Sequence, residues 1–268
     1  GAAAFMARRN TVLGRGDRRG AFRVALVLLA LGVAAWALGA HHVADTTAEM
    51  ELLWRSAGHV LLQSVLVWLF YLAVEPYARR LRPWTLVSWT RLLGGGLSDP
   101  VVGRDTLVGL AWGVALVLVA ALARLAPAWL GQPGPEPVAG LVETLQGPRF
   151  ALSAVAQMAT SAILVSMGVL LLFVLTRLVL RRDALAVAAL AAVALVSGLL
   201  GPPDARLVAA AVGVVFAVSW IALLLRFGLL AAIVGLFANR VLEGLPLTTD
   251  LSSWTAGPTI TAVSIVAL

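Results

Sequence analysis

Residues 151–176 include no charged side chain, and the same holds for 184–200 and 207–225. An α-helix needs about 20 predominantly apolar residues to cross the hydrocarbon of a bilayer. In that solvent each backbone N–H and C=O must find its partner inside the protein, so a single long run must be helical. Composition points the same way. Apolar residues make up 61% of the chain and charged ones 12%, against about 45–50% and roughly 25% in soluble domains. No compact soluble core hides that much apolar surface. The expected fold class is all-α, a polytopic transmembrane helix bundle of about six to eight spans.

Spans are expected at 21–40, 57–74, 106–125, 151–176, 184–200 and 207–225. Glu75-Pro76 is expected to end the second, since proline lacks an N–H and its ring crowds the preceding turn. Asp99-Pro100 has the form of an N-cap followed by proline at the first helical position. Gly201-Pro202-Pro203-Asp204 reads as a tight turn. Residues 227–238 are apolar but short, a length suited to an interfacial or re-entrant helix. Residues 251–268 open a further apolar run. The stretch 126–150 carries Pro127, Pro133, Pro135, Pro137 and Pro148 and reads as an irregular cap.

Two segments read as lying outside the hydrocarbon. Residues 83–93 set Trp84, Trp89 and Arg91 among leucines, the pattern of a short helix in the headgroup region. Residues 1–20 read as a basic cytoplasmic juxtamembrane segment, with 1–6 as the tail of an earlier apolar helix, and 21–268 as the transmembrane helical domain. With Leu268 also inside an apolar run, the chain is expected to be part of something longer. No A-x-A-like cleavage site follows the first span, so a cleavable signal peptide is not expected.

All 20 basic residues are arginine, and the net charge is +7. Arg8, Arg9, Arg15, Arg18, Arg19, Arg23, Arg79, Arg80, Arg82, Arg91, Arg104, Arg177, Arg181 and Arg182 fall on one side of the alternating spans. Arg55, Arg124, Arg149 and Arg206 fall on the other. The positive-inside rule places the first set in the cytoplasm. Short arginine clusters between apolar runs point to anionic lipid headgroups as partners and not to nucleic acid. Cysteine is absent, which removes thiolate metal sites, disulfides and thiol nucleophiles.

The polar residues give little chemistry. Gly14-Arg15-Gly16-Asp17-Arg18-Arg19-Gly20 is glycine-rich and basic, but a phosphate-binding Walker loop needs a lysine, so it reads as a flexible juxtamembrane segment. His41 and His42 with Asp45 and Glu49 bring metal-ligand types together, yet adjacent histidines point apart and zinc wants three or four convergent ligands. They read as an interfacial polar cap. His59, with Gln63 one turn on, reads as a hydrogen-bonding position between helices more readily than as a haem or pigment ligand. Gln63, Gln157, Thr160 and Ser161 are the deepest polar groups and read as interhelical glue. Arg124 snorkels from the end of its span, and Arg55 and Glu51 sit at an interface. No carboxylate falls mid-span, which argues against ion-coupled transport. Ala35/Gly39 and Gly109/Gly113 are small-x-x-x-small pairs suited to close helix packing. No catalytic, cofactor-binding or metal-binding residue is expected.

Three polar stretches resemble a known family. ARRNTVLGRGDRRGAFRVA (7–25), YLAVEPYARRLRPWTLVSWTRLLGGGLSDPVVGRD (71–105) and GLPLTTDLSSW (244–254) resemble the multi-span C-terminal membrane region of bacterial eukaryotic-like serine/threonine protein kinases. The resemblance implies a cytoplasmic kinase domain ahead of Gly1. The kinase motifs H-R-D and D-F-G are absent from these 268 residues, so no catalytic residue carries over. The expected function is that of a membrane anchor and sensor in the bacterial inner membrane, with no catalytic site of its own. The alternatives are a permease or transporter subunit, and an accessory helical subunit of a larger membrane complex or homo-oligomer.

Overall fold

The computed structural model of the chain describes residues 2–14, 16–42, 44–129, 142–201, 206–248, 250, 252–253 and 256–267. The described residues are predominantly α-helical and contain no strand. In order the helices are α1 (Ala2–Val12), α2 (Arg18–Gly39), α3 (Thr46–Leu81), α4 (Val87–Leu93), α5 (Pro100–Trp129), α6 (Pro148–Leu180), α7 (Asp183–Leu199), α8 (Arg206–Phe227), α9 (Leu229–Gly244) and α10 (Ala256–Ala267). Short 3₁₀ turns cover Pro83–Leu86 and Val142–Gln146.

Among the described residues five helices are long and apolar enough to cross a membrane: Arg18–Gly39, Thr46–Leu81, Pro100–Leu125, Pro148–Leu180 and Arg206–Phe227. They suggest an integral membrane protein. At 1.5 Å per residue the 36 residues of α3 reach about 54 Å, well past the ~30 Å of hydrocarbon.

The chain divides into two compact units. One comprises Gly1–Ala73, Val138–Met167 and Leu236–Leu268; the other comprises Val74–Pro137 and Gly168–Gly235.

The first unit begins with α1, which takes in residues 2–6 of the expected helix tail and continues to Val12. Met6, Ala7 and Asn10 are buried along one face of α1, and Gly14 at φ +66 closes it as a left-handed C-terminal residue. The Asp17 carboxylate accepts the Gly20 N–H at 2.9 Å, so Asp17 is an N-cap and α2 starts at Arg18, inside the stretch read as juxtamembrane. Against α2, Ser153 of α6 donates its hydroxyl to the Ala35 carbonyl at 2.7 Å. Gly39 makes room there: a methyl group at this position would collide with the Ser153 side chain. Further along, Met158, Val241, Leu245 and Ala262 form a core shared by α6, the α9 end and α10.

The expected stop at Glu75-Pro76 does not occur; α3 continues to Leu81 with Pro76 inside it. A proline at position 76 cannot donate to the Leu72 carbonyl, four residues back, and its ring presses on that oxygen. Asn10 supplies the missing donor. Its side-chain amide donates to Leu72 O at 2.9 Å and to Ala73 O at 3.2 Å, with Asn10 only 3% exposed. A proline is tolerated in an apolar helix where a neighbouring group satisfies the carbonyls it releases.

In the second unit α7 and α8 form a hairpin in which the Gly198 Cα packs directly on the Ala210 backbone. Phe173, Ala186 and Ile221 make a core between α6, α7 and α8. The expected turn at 202–204 lies outside the described residues, as do residues 130–141 of the expected cap at 126–150; its described ends are helical, in α5, the 3₁₀ turn Val142–Gln146 and the start of α6. Gly109 of α5 meets α9 so closely that a methyl group would stand 2.6 Å from the Ala231 carbonyl oxygen. Gly109, one of the two glycines read as a packing signal, therefore serves a contact within the chain.

The expected half-length segment at 227–238 is α9, a 16-residue helix that runs to Gly244. It follows a break at Gly228, whose φ of +104 requires glycine. Residues 83–93 are helical as expected, in two pieces. Trp89 is buried at 4% exposure while Trp84 is half exposed, so the two tryptophans do not share one outward face.

Truncating Asn10 to Ala strands the Leu72 carbonyl, and is expected to cost about 1–3 kcal/mol. In a Pro76→Ala background the backbone N–H of residue 76 returns, and the same truncation should cost measurably less. Reversible unfolding in mixed detergent micelles across this double-mutant cycle gives the coupling; equal costs in both backgrounds would refute the pairing of Asn10 with the proline break.

Candidate functional site

The densest polar chemistry among the described residues lies in the second unit, where several helices end together. α3 ends at Leu81, α6 at Leu180 and α8 at Phe227, while α7 begins at Asp183. Asp183 bridges two of these ends. Its Oδ2 accepts from Arg82 Nη2 at 2.5 Å, and its Oδ1 accepts from Arg177 Nε. The short link between α6 and α7 makes this possible: Arg181 adopts φ +59, its N–H returning to the Arg177 carbonyl at 2.9 Å, which turns the chain at once into α7.

The turn after α3 is pinned to α8. Trp84 donates its indole N–H to the Leu225 carbonyl at 3.0 Å, one of the terminal carbonyls that a helix cannot satisfy itself. Gly228 lies under the same turn, where a methyl group would come 2.7 Å from the Thr85 carbonyl. Arg79 bonds the buried Glu75, Arg104 bonds the buried Asp105 at 2.8 Å, and Arg91 holds Asp99 at 2.8 Å. The Asp99 carboxylate also accepts the Val101 N–H at 2.8 Å, so it caps α5 as the Asp99-Pro100 sequence predicts. Val101's N–H first, and Arg91 with it, hold that carboxyl below the usual carboxylate range. Thr85 Oγ1, Ser88 Oγ and Trp89 Nε1 are buried with no hydrogen-bond partner among the described residues.

The first unit separates the candidate metal ligands. His42 Nδ1 lies 2.5 Å from Glu49 Oε1, and its ring meets Trp36 edge-on at 5.5 Å. His41 instead tilts against Phe150 at 5.2 Å. Asp45 Oδ1 accepts the Thr47 N–H at 2.9 Å, so it caps α3. No group of three or more histidine and carboxylate side chains able to hold a metal occurs among the described residues. The Glu49 contact raises the His42 pKa above its ordinary value.

Among the described residues, His59 and Gln63 bond each other and not a second helix. The Gln63 amide nitrogen and His59 Nε2 lie 2.8 Å apart along α3, so the two satisfy each other on one turn. Thr160 returns its hydroxyl to Ala156 O, and Gln157 donates to Ser153 Oγ at 3.2 Å. The interhelical bond in this group belongs to Ser153, which sequence reasoning passed over, as it did Asn10. Arg55 and Glu51 form an exposed pair at 3.4 Å, and Arg124 is exposed.

Removing the Asp183 carboxylate with Asp183→Asn leaves two arginines facing each other. Because Asp183 is 41% exposed, solvent screening limits the expected loss to roughly 1 kcal/mol. Glu51→Gln, in the fully solvated pair, should shift the unfolding midpoint less. Equal shifts would refute the structural role of the bridge.

A raised His42 pKa means the His42–Glu49 contact stabilises the fold fully below the unfolded value of about 6.5, and the stabilisation fades as pH rises through the folded value. Histidine NMR titration should show the His42 pKa falling when Glu49 is replaced in Glu49→Gln; an unchanged value would refute the contact.

Comparisons with protein-family models, with curated proteins and with solved structures find no match for this chain.

Proposed function

We propose that this chain is the membrane anchor and sensor region of a protein related to bacterial eukaryotic-like serine/threonine kinases, seated in the cytoplasmic membrane with its arginine-rich loops inside. On this reading α7 crosses as a sixth span paired with α8, and α9 with α10 brings the count toward eight. Phosphoryl transfer would belong to a domain ahead of Gly1.

The observation that carries the reading is the order of the stretch 75–105, which holds most of the family resemblance. It is a platform of ion pairs, Arg79–Glu75, Arg82–Asp183, Arg91–Asp99 and Arg104–Asp105, and not a slack linker between spans. A second support is parity. The arginines assigned to one side of the membrane by loop alternation, Arg82 and Arg177, meet at a single aspartate. A permease reading draws on the break at Gly228 between α8 and α9, since interrupted helices often frame transport sites; saturable solute uptake into proteoliposomes would select it.

Intact mass of the native polypeptide tests the proposal. A mass well above 28.0 kDa, with H-R-D and D-F-G in the added sequence, is the expected result. A native mass near 28.0 kDa would overturn the kinase assignment.

A further inference from the structure

We infer that the cleft beside Arg82 and Arg226 is a site for one anionic phospholipid of the phosphatidylglycerol class. The cleft is a shallow, open depression of about 400 Å³ lined by Arg82, Trp84, Ala222, Leu225 and Arg226, all in the second unit. The inference rests on the proposed placement of this arginine-rich end at a membrane surface, and not on the kinase assignment.

Charge comes first. Arg82, Arg177 and Arg226 stand against a single carboxylate, Asp183, which bonds the first two. Arg226 has no ion pair among the described residues and is exposed; its guanidinium lies 5.8 Å from the centre of the Phe227 ring. Arg82 gives one nitrogen to Asp183, which leaves further N–H groups for an acceptor, since a guanidinium has five. A phosphodiester between the two arginines would be met by charge-assisted donors from both sides.

The apolar part fits a lipid better than a free anion. Trp84 is held by its bond to the Leu225 carbonyl with half its surface exposed, and tryptophan is a residue that favours the headgroup region. Ala222 and Leu225 floor the cleft. From Ala222, the exposed face of α8 continues through Val218, Val215 and Ala211, the spacing of one helical stripe. These short side chains leave a shallow track for an acyl chain leading away from Arg226.

Native mass spectrometry of the full polypeptide from nanodiscs of phosphatidylcholine doped with phosphatidylglycerol is the test. One phosphatidylglycerol should be retained saturably. Arg226→Gln should weaken retention about five-fold, the share of one basic residue at an anionic surface. Arg226→Lys should keep part of the affinity, and Arg55→Gln, at the pair with Glu51, should leave it unchanged. Equal losses from Arg226→Gln and Arg55→Gln, or displacement of the lipid by inorganic phosphate at matched concentration, would overturn the site. The placement has its own readout: with no native cysteine, a membrane-impermeant maleimide should reach Thr47→Cys from outside and Arg91→Cys only from within. Failure there removes the membrane placement, whereas correct labelling without lipid selectivity removes the site alone.

Discussion

The Leu72 carbonyl sits four residues before a proline in a 36-residue helix, and its satisfaction decides how the first unit is built. In hydrocarbon an unpaired carbonyl costs several kcal/mol. The chain brings Asn10 to it, and Asn10 arrives only because α1 is folded and docked by Met6 and Ala7. From there the path runs through Gly14 and Asp17, whose carboxylate caps α2. Tyr71, one residue before Leu72, donates to that same Asp17 at 3.5 Å. One helix end, one helix start and one helix break are thus tied together by polar atoms.

The same logic explains what the sequence made legible. Long uncharged runs dictate helices whatever surrounds them, so the six expected spans lie within α2, α3, α5, α6, α7 and α8 to within a residue or two. Five of these helices meet the length for crossing, and α7 with 17 residues is shorter. The ends were less legible, because hydropathy marks where hydrocarbon stops and not where the helix does. α3 extends from Thr46, capped by Asp45, to Leu81, and Pro76 did not end it because the compensating donor lies 66 residues earlier. No local rule carries that information. The polar pairs were misjudged for a related reason: His59 and Gln63 share one helical face, which permits a bond within the helix as readily as one across helices.

Charge alternation along the loops was legible and its consequence was not. Counting arginines along the loops cannot say that Arg82 and Arg177 converge on Asp183 or that Trp84 closes the end of α8. Asp183 itself gave no signal, being one acidic residue just beyond Arg181 and Arg182. Its position follows from the left-handed turn at Arg181, a conformation that costs a non-glycine residue about 1–2 kcal/mol. The ion pairs made on the far side of that turn are of the magnitude needed to offset it.

On the proposed reading, these two polar assemblies differ in what they can transmit. A sensor needs an element with two arrangements and an input that favours one of them. The Asp183 bridge joins helices that also share an apolar core of Phe173, Ala186 and Ile221, so shifting it means repacking that core. α1 is held differently, by a small buried face and by two hydrogen bonds from one side chain to a helix break. Releasing α1 exposes the Leu72 and Ala73 carbonyls but leaves the core of the first unit, built from Met158, Val241, Leu245 and Ala262, untouched. The energy between docked and released α1 is therefore small beside that of any rearrangement among the long helices. A domain attached ahead of α1 would feel this equilibrium first, and the proline in α3 biases it toward the docked state: a continuous helix would satisfy Leu72 by itself and leave Asn10 only the Ala73 carbonyl to hold.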